Sequence, residues 1–273
     1  MLKECLENMR ARTPLIHSIT NYVTVNDCAN VLLACGCSPV MADDIREVEE
    51  ITAISNGLNI NIGTLNHSTI SSMSAAGKKA NVLGLPVVLD PVGAGASTLR
   101  TETALMLMNE VHFTVIKGNI SEMKTLVSGS GATKGVDADL ADLITDATRA
   151  AAVNSAKAFA RKTGAIIVIT GTVDIVTDGT TAYAVHNGHP MLSKITGTGC
   201  MLSAMTAAYV AANPDNALEA TLAAVCAMGL CGEKAHARMS GTDGNATFKI
   251  YLIDAIYNLY GKTLKSGAQY EIC

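Results

Sequence analysis

The residues best placed to do chemistry lie in Ile195-Thr196-Gly197-Thr198-Gly199-Cys200, directly before the helix-forming run Met201-Leu202-Ser203-Ala204-Met205. Two glycines around a threonine give a loop whose backbone N–H groups point outward at a helix start. The unpaired amides of the first turn and the positive end of the helix dipole favour phosphate or a developing oxyanion there. Cys200 then falls in that first turn, where the same field is expected to lower a thiol pKa from about 8.5 and make thiolate accessible. A tight loop–helix junction around a small buried thiol has the same sequence. What separates the two readings is the company this stretch keeps.

Other polar residues fall where apolar runs end. Pro86-Val87-Val88-Leu89 ends in Asp90, followed by Pro91-Val92-Gly93-Ala94-Gly95. A carboxylate on a rigid turn suits a hydrated Mg²⁺ or a substrate hydroxyl. Phe113-Thr114-Val115-Ile116 ends at Lys117-Gly118-Asn119, with Ile120-Ser121-Glu122 next. Asn119 with an acidic residue three positions on is a capping box; equally, Glu122 beside Lys117 can hold Mg²⁺ against nucleotide phosphates. Met41, Gly63 and Thr170 also follow predicted strands. In open parallel sheets ligands bind outside the carboxyl ends of the strands, so these residues and the 195–200 loop are expected to form one composite site.

The elements that must position them alternate. Leu2 to Arg10 places Leu2, Leu6 and Met9 on one helical face, ended by Thr13-Pro14, and Leu15-Ile16-His17 is a short strand leading to the polar loop Ser18-Ile19-Thr20-Asn21. Asn26 or Asp27 can cap a helix that runs through Leu33 and stops near Gly36. Ser38 to Met41 reads as a strand end, and Ile45, Val48, Ile51 and Ile54 recur at helical spacing. Leu58 to Ile62 has period two, a helix covers about Ser68 to Leu83, and another lies near Thr103 to Met108. Ser128-Gly129-Ser130-Gly131 opens a loop before a long helix from about Ala138 to Arg161, then Ala165 to Ile169 is a strand. Asp178-Gly179 between Val173–Thr177 and Thr181–Val185 is a hairpin signal. The rest is helical: Cys200 to Ala212, Ala217 to about Arg238, and Phe248 to Tyr260 stopped by Gly261. Repeated strand–helix units predict an α/β fold with a mostly parallel central sheet and helices on both faces.

The 273 residues, 49% hydrophobic, suffice for one large α/β domain, taken as residues 1–273. A net charge of -4 with no Lys/Arg block argues against nucleic acid as a partner. No apolar run reaches the roughly 18 residues of a membrane span, and the first residues lack a signal-peptide core, so a cytoplasmic protein is expected. Eight scattered cysteines without zinc-type spacing suit reduced thiols. No Trp and only three Phe, with abundant Ala, Gly and Met, predict helices packed closely on a sheet. The sequence argues against a P-loop NTPase, because no Gly-x-x-x-x-Gly-Lys-Ser/Thr is present and Gly129-Ser130-Gly131-Ala132-Thr133-Lys134 does not follow a strand. Gly93-Ala94-Gly95 lacks the third glycine of a dinucleotide fingerprint. His17, His186 and His189 form no helical ligand pair and are read as structural.

With these residues assembled, the chain resembles the hydroxyethylthiazole kinase family of the ribokinase-like superfamily. The matching segments are Pro14 to Asn21, Ser38 to Met41, Asn61-Ile62-Gly63-Thr64-Leu65, Asp90 to Gly95, Lys117-Gly118-Asn119 with Glu122, Ile169-Thr170-Gly171, and Thr196 to Cys200, in family order. Most ribokinase-like enzymes carry a catalytic Asp where this chain has Cys200, a difference typical of the thiazole kinases. The resemblance implies a ribokinase-like three-layer sandwich and ATP-dependent phosphorylation of 4-methyl-5-(2-hydroxyethyl)thiazole in thiamine salvage. It implies that Asn21, Met41 and Gly197 bind the thiazole, that Lys117, Thr170 and Gly199 bind ATP, and that Asp90 and Glu122 organise Mg²⁺. Cys200 is then the candidate base, and the assembly a homotrimer with active sites between subunits. A kinase of another small alcohol, of the hydroxymethylpyrimidine or pyridoxal type, an ATP-dependent hydrate dehydratase, a Cys200-dependent acyl-transfer enzyme and a non-catalytic thiazole-binding protein remain as alternatives.

Overall fold

The computed structural model describes residues 1–129 and 146–273. After α1 (Leu2–Arg12) the chain alternates through β1 (Leu15–Ile19), α2 (Val25–Cys35), β2 (Ser38–Val40), α3 (Val48–Ile54), β3 (Gly57–Asn61), α4 (His67–Val82) and β4 (Val87–Asp90). It continues through α5 (Thr98–Glu110), β5 (Val115–Asn119), α6 (Ile120–Ser128), α7 (Asp146–Thr163) and β6 (Ile166–Thr170), and then a hairpin of β7 (Asp174–Thr177) and β8 (Ala182–Val185). The last part holds α8 (Thr198–Ala212), α9 (Ala217–Ala237), α10 (Asn245–Tyr257), α11 (Gly261–Gly267) and β9 (Tyr270–Ile272). The expected residues 130 and 131 of the glycine-serine loop, the 132–134 segment and the first part of the long helix, 138–145, lie outside the described residues.

Among the described residues the strands form one sheet in the order β2-β1-β3-β4-β5-β6-β7-β8-β9. The pairs from β2 to β6 are all parallel, and those from β6 to β9 are antiparallel. Parallel pairing puts the carboxyl ends of β2, β1, β3, β4, β5 and β6 along one edge; the sequence-predicted site residues follow or end these strands or lie in the 195–200 loop, except Lys117, which is the middle residue of β5. Two buried clusters lie on opposite faces. One joins Ile16, Val88 and Val115 of the sheet to Met205, Val225 and Phe248 of α8, α9 and α10; the other joins Leu58, Leu89 and Ile167 to Met73, Leu107 and Phe159 of α4, α5 and α7. The result is the expected three-layer arrangement. Small side chains let the layers approach closely: a Cβ at Gly57 would stand 3.1 Å from Ala211 Cβ of α8.

Several expectations need correction. Ser18 and Ile19 belong to β1 rather than to a loop, because both are buried and Ser18 accepts a hydrogen bond across to β3 from Asn59 at 2.9 Å. The helix after them starts at Val25 behind Thr24, so neither Asn26 nor Asp27 caps it. The strand expected at Leu58–Ile62 runs from Gly57 to Asn61 and is buried on both faces. Gly261 ends no helix but opens α11, since α10 stops at Tyr257. β9 was not expected at all; it pairs with β8 and closes that side of the sheet.

Candidate active site

Asp90 ends β4 almost fully buried, at 1% exposure. Its Oδ2 accepts hydrogen bonds from Asn61 Nδ2 at 2.9 Å and Ser203 Oγ at 2.6 Å, with Lys117 Nζ at 3.3 Å. Its Oδ1 is buried with no hydrogen-bond partner. A buried acceptor left bare is costly unless a ligand satisfies it. Lys117, on β5, is itself buried and also donates to the Gly199 carbonyl at 3.1 Å. Burial opposes its charge, but Asp90, Glu122 and Cys200 around it outweigh that and hold its pKa above the ordinary value.

Gly197 is the residue before α8 and has φ 92°, a conformation that suits glycine. A Cβ there would stand 2.8 Å from Thr24 Cγ2. With no capping side chain, the first intrahelical bond of α8 is made by Met201 N to Gly197 O at 2.8 Å, which leaves the amides of Thr198, Gly199 and Cys200 without one. An open helix start, the geometry an anion site would need, therefore lies beside Lys117. Cys200 Sγ accepts a hydrogen bond from Asn21 Nδ2 at 3.3 Å, and Asn21 Nδ2 also reaches Asn61 Oδ1 at 2.9 Å. Asn21, Asn61 and Asp90 thus form a continuous buried polar chain beneath the loop.

The Cys200 thiol does not behave as the helix field alone suggested. Burial pushes its pKa up, and the Asp90 carboxylate pushes it further; Lys117, Thr24 and Asn21 pull the other way without winning. At neutral pH the side chain is a thiol. Asn21, Thr24, Asp90 and Lys117 bear on it, and none of these is the histidine that an acyl-transfer enzyme would need.

Glu122 satisfies the capping-box reading in full. Asn119 Oδ1 accepts from Glu122 N at 2.9 Å, and Glu122 Oε2 accepts from Asn119 N at 2.8 Å. Its other oxygen accepts from Gly93 N at 2.8 Å, so it also fastens the loop after Asp90 to α6. Burial and nearby Asp90 raise its pKa to about 7, against the pull of Lys117 and the two backbone donors. Arg100 ties the same loop to the turn after β3, donating to the carbonyls of Val92 and Gly63 at 3.2 and 2.7 Å.

The two remaining expected residues sit on the same edge. Met41 directly follows β2 and is half-buried; the chain beside it is held by His17, whose Nε2 donates to the Ala42 carbonyl at 2.8 Å and whose Nδ1 meets Thr52 Oγ1 at 3.0 Å. That is the structural role expected of His17. Thr170, also half-buried, ends β6 and reaches the Gly118 carbonyl at 3.4 Å. Asn61, Ser203, Thr24 and Arg100 were not singled out from the sequence. An open groove of about 700 Å³ lined by Ile70, Ser74, Lys78 and Met106 lies between α4 and α5, away from this edge and its polar chain.

Among the described residues no group of three or more His, Cys, Asp and Glu side chains could enclose a metal ion. Mg²⁺ does not ask for one: it keeps several waters and takes one or two carboxylates together with substrate phosphates. The bare Oδ1 of Asp90, with the Glu122 carboxyl near enough to feel the Asp90 charge, fits that requirement.

A sheet parallel from β2 to β6 with a buried carboxylate, a buried lysine and an open helix start at one edge suits phosphoryl transfer, and solved structures place the fold in the ribokinase-like class. Residues 6–262 match the hydroxyethylthiazole kinase family, and the chain belongs to that family. It is 64% identical over 271 residues, 99% of each chain, to the hydroxyethylthiazole kinase of Clostridium acetobutylicum. Against the Methanocella arvoryzae hydroxyethylthiazole kinase it is 46% identical, covering 94% of this chain and 93% of that one. Among solved structures, the hydroxyethylthiazole kinase protein from Pyrococcus horikoshii superposes with a TM-score of 0.87 at 36% identity, covering 100% and 98% of the two chains. Bacillus subtilis pyridoxal kinase shares the fold, with a TM-score of 0.59 at 19% identity over 81% of this chain and 91% of that one.

Proposed function

We propose that the protein transfers the γ-phosphoryl group of ATP to the primary alcohol of 4-methyl-5-(2-hydroxyethyl)thiazole, a salvage step towards thiamine. The observation that carries this reading is Asp90, with one buried oxygen bare and the other tied through Lys117 to the open start of α8, in a chain of this family. Phosphoryl transfer asks a protein mainly for alignment and for stabilisation of charge on the phosphoryl oxygens. The α8 amides, Gly199 among them, and the Lys117 ammonium supply that charge, with Thr170 as a further ATP contact. Asn21, Met41 and Gly197 hold the thiazole alcohol.

Asp90, through Oδ1, and Glu122 would hold Mg²⁺; when bound, the ion would add positive charge at the phosphate oxygens and offset the Asp90 carboxylate. The alcohol oxygen attacks the γ-phosphorus, the bond to the bridging oxygen of ADP breaks, and Cys200 takes the alcohol proton. Its thiolate is the minor form at neutral pH, so proton removal limits the rate more as pH falls. The same reading takes residues 1–273 as one kinase domain of a cytoplasmic homotrimer with active sites between subunits. Exposed Tyr22 and Val23 directly beside Asn21 support a neighbour covering that edge, and none of the described helices is long and apolar enough to cross a membrane. Sedimentation equilibrium tests the trimer: a mass other than three times that of the chain refutes it.

The reaction is tested by ADP release from Mg²⁺-ATP with hydroxyethylthiazole, hydroxymethylpyrimidine, pyridoxal or no acceptor, with mass spectrometry of the product. ADP matched by phosphorylated thiazole alone is expected. Turnover of another alcohol instead would discard the substrate and keep the reaction class. Silence with every acceptor would favour a non-catalytic binding protein.

A further inference from the structure

Serine and threonine hydroxyls inside helices usually bond back to the carbonyl four residues earlier. Thr206 does so to Leu202 at 2.8 Å in α8, and Thr221 to Ala217 at 2.8 Å in α9. Ser203 is different. It reaches Gly199 O at 3.1 Å but lies closer, at 2.6 Å, to Asp90 Oδ2 on another element. A hydroxyl has one proton, and the shorter contact to a carboxylate is where a charge-assisted bond forms.

Lys117 spans the same two acceptors, at 3.3 Å to Asp90 Oδ2 and 3.1 Å to Gly199 O. Lys117 and Ser203 therefore meet at Asp90 Oδ2, and Lys117 links that oxygen to the Gly199 carbonyl. With Asn61 as third donor, Oδ2 is saturated and the carboxylate cannot rotate without breaking a buried bond, which leaves Oδ1 as its free acceptor.

We propose that Ser203 is a positioning residue: through its hydrogen bond to Asp90 Oδ2 it fixes the carboxylate with Oδ1 free for the divalent cation, and locks that carboxylate to the second turn of α8. This rests on the reading of Asp90 as a Mg²⁺ ligand. Partners that orient a metal-binding group are worth about 10- to 100-fold in metal affinity, and Ser203 belongs to that class. The cation site and the phosphate-binding amides consequently move as one body.

The test is Mn²⁺ binding to the full chain in the presence of β,γ-methylene-ATP, read by enhancement of water-proton relaxation, with Asp90→Asn as the floor. Ser203→Ala is expected to weaken Mn²⁺ binding about 10- to 100-fold. Alanine is the better helix former, so the variant keeps its fold, which its melting temperature checks. Thr206→Val, which removes a buried hydroxyl from the same helix without touching Asp90, is expected to bind Mn²⁺ like the parent protein. In steady state, Ser203→Ala should raise the Mg²⁺ needed for half-maximal rate and leave KM for the alcohol unchanged. Parent-like Mn²⁺ binding by Ser203→Ala, or an equal loss in Thr206→Val, overturns the positioning role alone. Parent-like binding by Asp90→Asn overturns the metal reading and this role with it.

Discussion

At the scale of single residues, the thiol of Cys200 and the carboxyl of Glu122 make opposite demands on pH. Cys200 is raised above its ordinary value, first by burial and then by Asp90, so its active thiolate grows as pH rises. Turnover is expected to climb about tenfold per pH unit through neutrality, and Cys200→Ala to abolish the climb and lower kcat by about 10²–10⁴. A flat pH–rate profile, or a loss of only a few-fold, would reduce Cys200 to a packing residue. Glu122 has its folded pKa raised from 4.5 to about 7. Between those values the folded protein binds the proton more tightly than the unfolded chain, so this carboxyl makes stability fall as pH rises and level off above about 7. Melting temperatures of parent and Glu122→Gln across that window check the sign: the variant should show the shallower slope.

Asp90, Lys117 and Glu122 were readable as candidates because each is a polar residue at or just beyond the end of an apolar run. Asn61 was hidden by its own pattern. Alternation of Leu58, Asn59, Ile60 and Asn61 reads as a strand with one face in water, and nothing in the sequence says that α8 covers that face. Ser203 reads as filler within a helix. The direction of the Cys200 shift was missed because helix-dipole reasoning sees only the local amides, whereas Asp90 and burial arrive through tertiary contact.

At the scale of elements, the start of α8 is where the proposed chemistry would be carried. A Cβ at Gly199 would stand 3.1 Å from Lys117 Nζ, the mobile end of a long side chain. Gly199→Val is therefore expected to displace Lys117 from Gly199 O and Asp90 and to reduce kcat/KM by about 10²-fold or more, while the sheet survives. Activity assays beside circular-dichroism melting separate the two effects; a loss of stability that matches the loss of activity would contradict the assignment. Element boundaries were legible where capping chemistry is local, as at Asn119 with Glu122 and at the Asp178-Gly179 hairpin. They were not legible at Gly261, where a glycine suited to ending a helix begins one.

At the scale of the whole molecule, parallel pairing from β2 to β6 was foreseeable from strand–helix alternation, but the antiparallel end was only half foreseen. β9 is three residues long and has no covered face to give it a pattern. It is fastened by Gln269 N to Asn187 Oδ1 at 2.7 Å and by Tyr270 edge-on to Tyr183, with ring centres 5.7 Å apart. Deleting residues 269–273 exposes the edge of β8. Each kcal/mol so lost is expected to lower the melting temperature by about 2 to 4 °C, with aggregation through the bare edge and kcat unchanged, because β4 and Asp90 lie four strands from β8. Differential scanning calorimetry and light scattering read the first two effects, and a fall in kcat would show that this edge does reach the site.

The buried polar chain joins Asn21 directly to Cys200, 179 residues further on, and through Asn61 to Asp90, so its members come from points spread along most of the sequence. No subset of the chain can assemble it. Long-range parallel pairing forms slowly and late, so a refolding population passes through species that have helices and partial sheet but no place for the nucleotide to bind. Recovery of enzymatic rate should then lag recovery of helical ellipticity, which makes activity a census of fully assembled molecules.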